Sequence, residues 1–141
     1  MKDNCIQTIK GCIAAEELGL ILPHEHLFTD LRGPLATGYA QGDLDAVAQV
    51  MGPYLAAAEA AGVTALVQCS TVGVGRNMAV LMRLAEITPI HIVAPTGVYR
   101  EAYIPPDLKE MSVEELAQIW VSELTEGIED TAVKAGFIKI A

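Results

Sequence analysis

His24-Glu25-His26 is the segment of this chain best suited to chemistry. Two histidines at i and i+2 on an extended segment point the same way, because side chains alternate along a strand. Both imidazoles can then reach one metal ion. The segment directly follows Leu20-Ile21-Leu22, a short apolar run that stops at Pro23 and reads as a buried strand. Lys139 is the second candidate. It lies in Gly136-Phe137-Ile138-Lys139-Ile140, which is otherwise apolar. A lysine in a buried strand is costly unless paired or chemically altered. Burial lowers its pKa and favours the free amine. A free amine can combine with carbon dioxide to give a carbamate, an anionic two-oxygen group able to bridge two cations.

The elements that must position these residues follow from apolar spacing and turn signals. Residues 5–13 read as a β-hairpin around Lys10-Gly11, followed by a turn at Glu16 to Gly19. Residues 30–42, rich in Gly, Pro and small side chains, predict a loop. Asp43 is a good N-cap for a helix over 44–61 that stops at Gly62, with a break or kink expected at Gly52-Pro53. Val63 to Cys69 predicts a strand, Ser70 to Gly75 a loop, and Asn77 to Glu86 a helix. Ile90 to Ala94 predicts a third strand, and 95–111 a long loop containing Pro105-Pro106. Ser112 with Glu115 forms a capping box for a helix over 113–127. A short helical turn is expected over 129–134, and a fourth strand over 137–141.

Strands alternating with helices imply right-handed crossovers and a parallel α/β sheet. Continuous apolar strands fit a sheet covered on both faces. A doubly wound open sheet and part of a TIM (β/α)8 barrel both satisfy this pattern. In a barrel, the HxH pair falls at the carboxyl end of the first strand, where such active sites are built.

Composition removes several other classes. The chain has 141 residues, 52% of them hydrophobic, enough for one packed domain. Its net charge of −9 repels phosphate backbones, so no nucleic-acid partner is expected. No segment approaches the ~20 apolar residues of a membrane helix, no basic run suggests a membrane surface, and no signal peptide is evident. The expected location is cytoplasmic. Three scattered cysteines, Cys5, Cys12 and Cys69, argue against a disulfide framework and a thiolate zinc site.

Five segments in order carry a family likeness: Ile6 to Gly11, Leu18 through Leu27, Gly75-Arg76-Asn77, Pro95 to Tyr99, and Ala135 to Lys139. Together they resemble the phosphotriesterase family, including its phosphotriesterase-like lactonases, within the amidohydrolase superfamily. Gly75-Arg76-Asn77 departs from the family pattern in having Asn where Asp is usual. The resemblance implies a TIM barrel with two divalent metal ions, zinc foremost, with cobalt, manganese or iron also compatible. His24 and His26 would ligate the more buried ion, and Lys139, as a carbamate, would bridge both. The ions would share a hydroxide that attacks a lactone or an organophosphate triester. Tyr99 matches an aromatic residue that contacts substrate in the lactonase branch.

The family's full site also needs two more histidines and an aspartate from later strands. His91, within the third predicted strand, is expected to be structural. Arg76 and Arg100 are the loop arginines nearest the site face, solvated or paired with nearby acids. A barrel needs ~250 residues, so residues 1–141 read as a single partial barrel of four strands with an N-terminal hairpin. By itself such a piece is expected to be inactive. Two other readings remain open. One is a non-catalytic half barrel that binds metal weakly or forms a homodimer through open strand edges. The other is a related branch acting on amides or cyclic ureides.

Overall fold

The computed structural model describes residues 5–141. The chain opens with a hairpin, β1 (Cys5–Thr8) and β2 (Gly11–Ala14), paired antiparallel. Cys5 and Cys12 face each other across it, with Cα atoms 5.7 Å apart.

Three parallel strands follow in sequential order: β3 (Leu20–Glu25), β4 (Val63–Gln68) and β5 (His91–Val93). Directly beyond β5 lies β6 (Pro95–Thr96), which pairs in parallel with β7 (Phe137–Ile138). The strands thus run in chain order with no reversal. A doubly wound sheet reverses its order at a switch point, so the barrel alternative fits and the open sheet does not.

Helices α1 (Leu44–Ala60), α2 (Met78–Glu86) and α4 (Val113–Thr125) form the crossovers, and a short helix α3 (Pro106–Lys109) precedes the last of them. Asp43 caps α1 by accepting from Ala46 N at 2.8 Å. Asn77 caps α2 by accepting from Val80 N at 2.9 Å. At α4, Ser112 Oγ accepts from Glu115 N at 3.2 Å, and the Glu115 carboxylate accepts from Ser112 N at 2.8 Å. The core fills the space between sheet and helices, with Leu66, Met78, Leu81, Leu84, Ile90 and Ile92 almost wholly enclosed.

Several boundaries differ from expectation. Helix α1 runs without interruption through Pro53. The preceding residue is Gly52, which lacks the Cβ that clashes with a following proline ring. The long 95–111 loop contains β6, a 3-10 turn at Glu101–Tyr103 and α3. No helical turn forms over 129–134. The last strand is only two residues long, and Lys139 lies just beyond it, still donating its amide to Thr96 O at 2.8 Å. Strand β3 is more exposed than a doubly covered strand, because nothing among the described residues pairs with its outer edge. Pro23 sits on this strand, and the β3–β4 register shifts between Leu22 and Glu25, as suits a residue without an N–H to give to a ladder. No helix among the described residues is long and apolar enough to cross a membrane.

Candidate functional site

The carboxyl ends of β3 and β4 are fastened by polar side chains. Gln68 is buried and its Oε1 accepts from Leu27 N at 2.8 Å, while Glu25 O accepts from Cys69 N at 2.7 Å. The chain just after the HxH segment is thereby fixed against β4. His24 Nε2 and His26 Nε2 converge to 3.2 Å. Two nitrogens bound to one tetrahedral zinc at 2.0–2.1 Å lie roughly 3.3 Å apart, so the pair has the spacing of two ligands of one ion. Ser70, fully buried at the end of β4, places its Oγ 3.0 Å from His26 Nδ1. With Nδ1–H donated to that hydroxyl, Nε2 keeps its lone pair for a cation.

Both histidines line a cavity of about 460 Å³ together with Leu31, Cys69, Tyr99 and Lys139. His26 is exposed, yet the part of its ring turned into the cavity is desolvated, and this lowers its pKa. The positive charges of His24 and Lys139 lower it further, against an upward pull from Glu25. The imidazole is therefore biased towards the neutral form that metal binding needs. Burial pushes the Cys69 thiol up, although Lys139 opposes this. A thiol so held stays protonated and is a poor ligand. Among the described residues no cluster of three or more His, Cys, Asp or Glu side chains is placed to hold a metal. The histidine pair and Lys139 line the same cavity.

Tyr99 forms one wall. Its amide donates to Val72 O at 2.9 Å, and its ring meets Tyr103 edge-on with centroids 5.4 Å apart. The Arg100 guanidinium lies over both rings, at 5.5 and 5.3 Å. Arg100 is exposed, as expected of a solvated loop arginine, and it also stacks on these two aromatic rings. Arg76 is acid-paired as anticipated, but its side chain is only 5% exposed and it faces Glu123, not the cavity. His91 sits at the amino end of β5, against a separate cavity with Glu17 and Glu59. It is remote from the histidine pair, in keeping with a structural role.

The loop after β3 supplies Thr29 and Leu31 to the cavity, and Asp30 organises it. The Asp30 carboxylate accepts from Arg32 Nε and Nη2 at 3.0 and 2.7 Å and from the amides of Arg32 and Ala40, both at 3.0 Å. Arg32 donates onward to Thr37 O and Gly38 O. Arg32 side-chain hydrogen bonds, then the Ala40 amide, hold the Asp30 carboxyl far below the usual carboxylate range. A depressed folded pKa gives stability that is complete above the ordinary value, ~3.9, and is lost progressively from there as pH falls to the folded value. At neutral pH the same loss is reached by Asp30→Asn, which offers one acceptor oxygen where the carboxylate offers two. We expect this substitution to speed tryptic cleavage after Arg32 several-fold with the circular dichroism spectrum unchanged. Equal cleavage rates would show that the loop is held by other contacts.

Sequence-ordered parallel strands, with a histidine pair at the carboxyl end of the first, define a chain of the TIM-barrel class. The family model described as Phosphotriesterase family matches residues 4–141. The chain belongs to the phosphotriesterase family. It is 31% identical over 137 residues to an aryldialkylphosphatase of Saccharolobus solfataricus, covering 94% of this chain and 42% of that protein. It is 28% identical over 160 residues to human N-acetyltaurine hydrolase, covering 94% and 46%. Among solved structures, a doubly substituted mutant of organophosphorus hydrolase from Deinococcus radiodurans superposes with a TM-score of 0.82 at 29% identity, over 96% of this chain and 43% of that one. The chain spans just under half the length of the curated relatives it matches.

Ser70, Gln68 and Glu123 were not singled out by sequence. For Ser70 a signal existed, since it directly follows the second apolar strand, at the end where barrel sites are built.

Proposed function

We propose that this chain provides the first four strands of a phosphotriesterase-type hydrolase barrel and part of a two-metal site. The observation that carries this is the 3.2 Å convergence of His24 and His26 Nε2 in a cavity shared with Lys139. His24 and His26 would hold one divalent ion, zinc foremost, and Lys139, as its carbamate, would link it to a second. Such ions lower the pKa of bound water and polarise an ester or phosphoryl centre. The protein's part is positional. Ser70 fixes the His26 ring, and Leu31 and Tyr99 give the apolar part of a lactone or organophosphate triester a surface to rest on. The named activities of the relatives, aryldialkylphosphatase and N-acetyltaurine hydrolase, are compatible with ester-type and amide-type substrates on one scaffold. The ester or triester is favoured because Tyr99 matches the lactonase branch.

The test is a Co²⁺ titration of the chain followed by absorption spectroscopy. Binding is expected in the unaltered chain and is expected to fall at least tenfold, about 1.4 kcal/mol, in His24→Ala and in His26→Ala. Turnover of a γ-lactone or an aryl dialkyl phosphate by this chain alone is expected to be absent or nearly so. Co²⁺ binding that ignores both substitutions would remove the metal-site reading. Lactone turnover at an ordinary enzymatic rate would remove the reading of an incomplete site.

A second reading rests on the open edges. Leu20 and Ile21 on β3 and Ile138 and Ile140 around β7 are exposed. Exposed apolar strand edges favour association, so a non-catalytic half barrel that pairs with a second copy would show concentration-dependent size without turnover.

A further inference from the structure

We propose that Glu123 is a positioning residue for Lys139, acting through Thr96; the part of this that concerns metal rests on the function proposed above. Glu123 lies on α4, the crossover helix between β6 and β7, and is buried. Its carboxylate accepts from Arg76 Nη1 and Nη2 at 2.7 and 2.6 Å and from the hydroxyl of Thr96. Arg76 Nη1 also donates to Pro95 O at 3.3 Å. Thr96 is therefore tied to Glu123 directly, and Pro95 through Arg76. The main chain of the same residue holds the approach to β7, since Glu123 O accepts from Ala135 N at 2.8 Å.

The two strands so gripped are the ones whose pairing places Lys139. Pro95 faces Phe137 and Thr96 faces Ile138 in register. Gly136 N donates to Ala94 O and Lys139 N to Thr96 O, both at 2.8 Å. The lysine is thus held by the carbonyl of the residue whose hydroxyl is bound to Glu123. A two-residue strand pair has few ladder bonds of its own, so its alignment depends on what grips it from outside. A buried carboxylate fully occupied by a guanidinium and a hydroxyl is a rigid grip.

The proposal is tested by amide hydrogen exchange on the full, metal-free chain, comparing Thr96→Val and Glu123→Gln with the unaltered protein. Thr96→Val removes the hydroxyl link and leaves the Arg76–Glu123 pair intact, so it stays informative if Glu123→Gln does not fold. The Lys139 amide is expected to exchange about tenfold faster, the effect of weakening one hydrogen bond, while Leu66 and Ile92 in β4 and β5 stay within about twofold of their original rates. Co²⁺ titration of the same variants is expected to show weakened binding and an altered visible spectrum. An unchanged Lys139 rate in Thr96→Val would overturn the proposal. So would equal acceleration at Lys139, Leu66 and Ile92, which would make Glu123 a general strut. If Co²⁺ does not bind the unaltered chain, the metal reading fails, and the exchange rates still decide whether Glu123 positions Lys139.

Discussion

Replacing Arg76 with methionine is expected to destabilise the chain by about 3–5 kcal/mol, the range seen when one partner of a buried ion pair is removed. The Arg76 and Glu123 side chains are 5% and 11% exposed. Methionine retains the stem of arginine but not its guanidinium. The Glu123 carboxylate would be left out of water with the Thr96 hydroxyl as its remaining strong donor. A urea unfolding curve reads the loss as a lower midpoint with an unchanged slope. The double variant Arg76→Met with Glu123→Leu should recover most of it, because an apolar replacement of a whole buried pair is often neutral or stabilising. The comparison also separates stability from positioning. The double variant is expected to regain its midpoint without regaining slow exchange at the Lys139 amide. A single Arg76→Met variant as stable as the original would show that water reaches Glu123 freely.

The second large effect is expected at Gly97. Its φ of +108° is in the region that favours glycine, and a Cβ there would lie 2.0 Å from Lys139 O and 2.8 Å from Lys139 C. These are backbone atoms, so no rotamer change can relieve the contact. Gly97→Ala adds backbone strain to overpacking, together about 2–6 kcal/mol, and must part β6 from β7 and displace Lys139. Gly11 provides the control. Its φ is +107°, yet nothing lies within 4 Å of its would-be Cβ. Gly11→Ala should therefore show the torsional cost alone, about 1–3 kcal/mol, with Co²⁺ binding unchanged. Equal melting temperatures and equal Co²⁺ affinities for the two variants would show that the close approach at Gly97 yields without consequence.

The histidine pair was legible in the sequence because its two signals are local: strand alternation brings both rings to one side, and a preceding apolar run places them at a strand end. Lys139 stood out as one charge in an apolar segment, but the buried strand expected for it is not found: Lys139 lies beyond β7 and is half-buried, between exposed Ile138 and Ile140. Glu123 was not legible. It is one of several acids on an amphipathic helix, with Glu114, Glu115 and Glu126, and nothing local distinguishes the one that turns inward to meet an arginine 47 positions away. Strand β6 was missed for a related reason. Pro95 and Thr96 carry little strand signal, and their conformation is imposed by β7 and by Glu123. Hairpin, crossover helices and the two longer strands were recoverable because caps and periodicity are written into neighbouring residues. The contacts that hold the site are tertiary, and tertiary partners are not adjacent in sequence.

The N-terminal hairpin docks far from its own neighbours. Ile9 N donates to Ile92 O at 2.8 Å, and Lys10 Nζ donates to Thr88 O across a sequence separation of 78 residues. Closing so long a loop has an entropic cost that must be met before the contact rewards it. The hairpin can form early by itself, but it has nothing to dock against until β4, α2 and β5 exist. On a ribosome, the hairpin would emerge well before Thr88 and Ile92 and would wait for them before finding its seat. Its order of synthesis and its order of consolidation are therefore reversed.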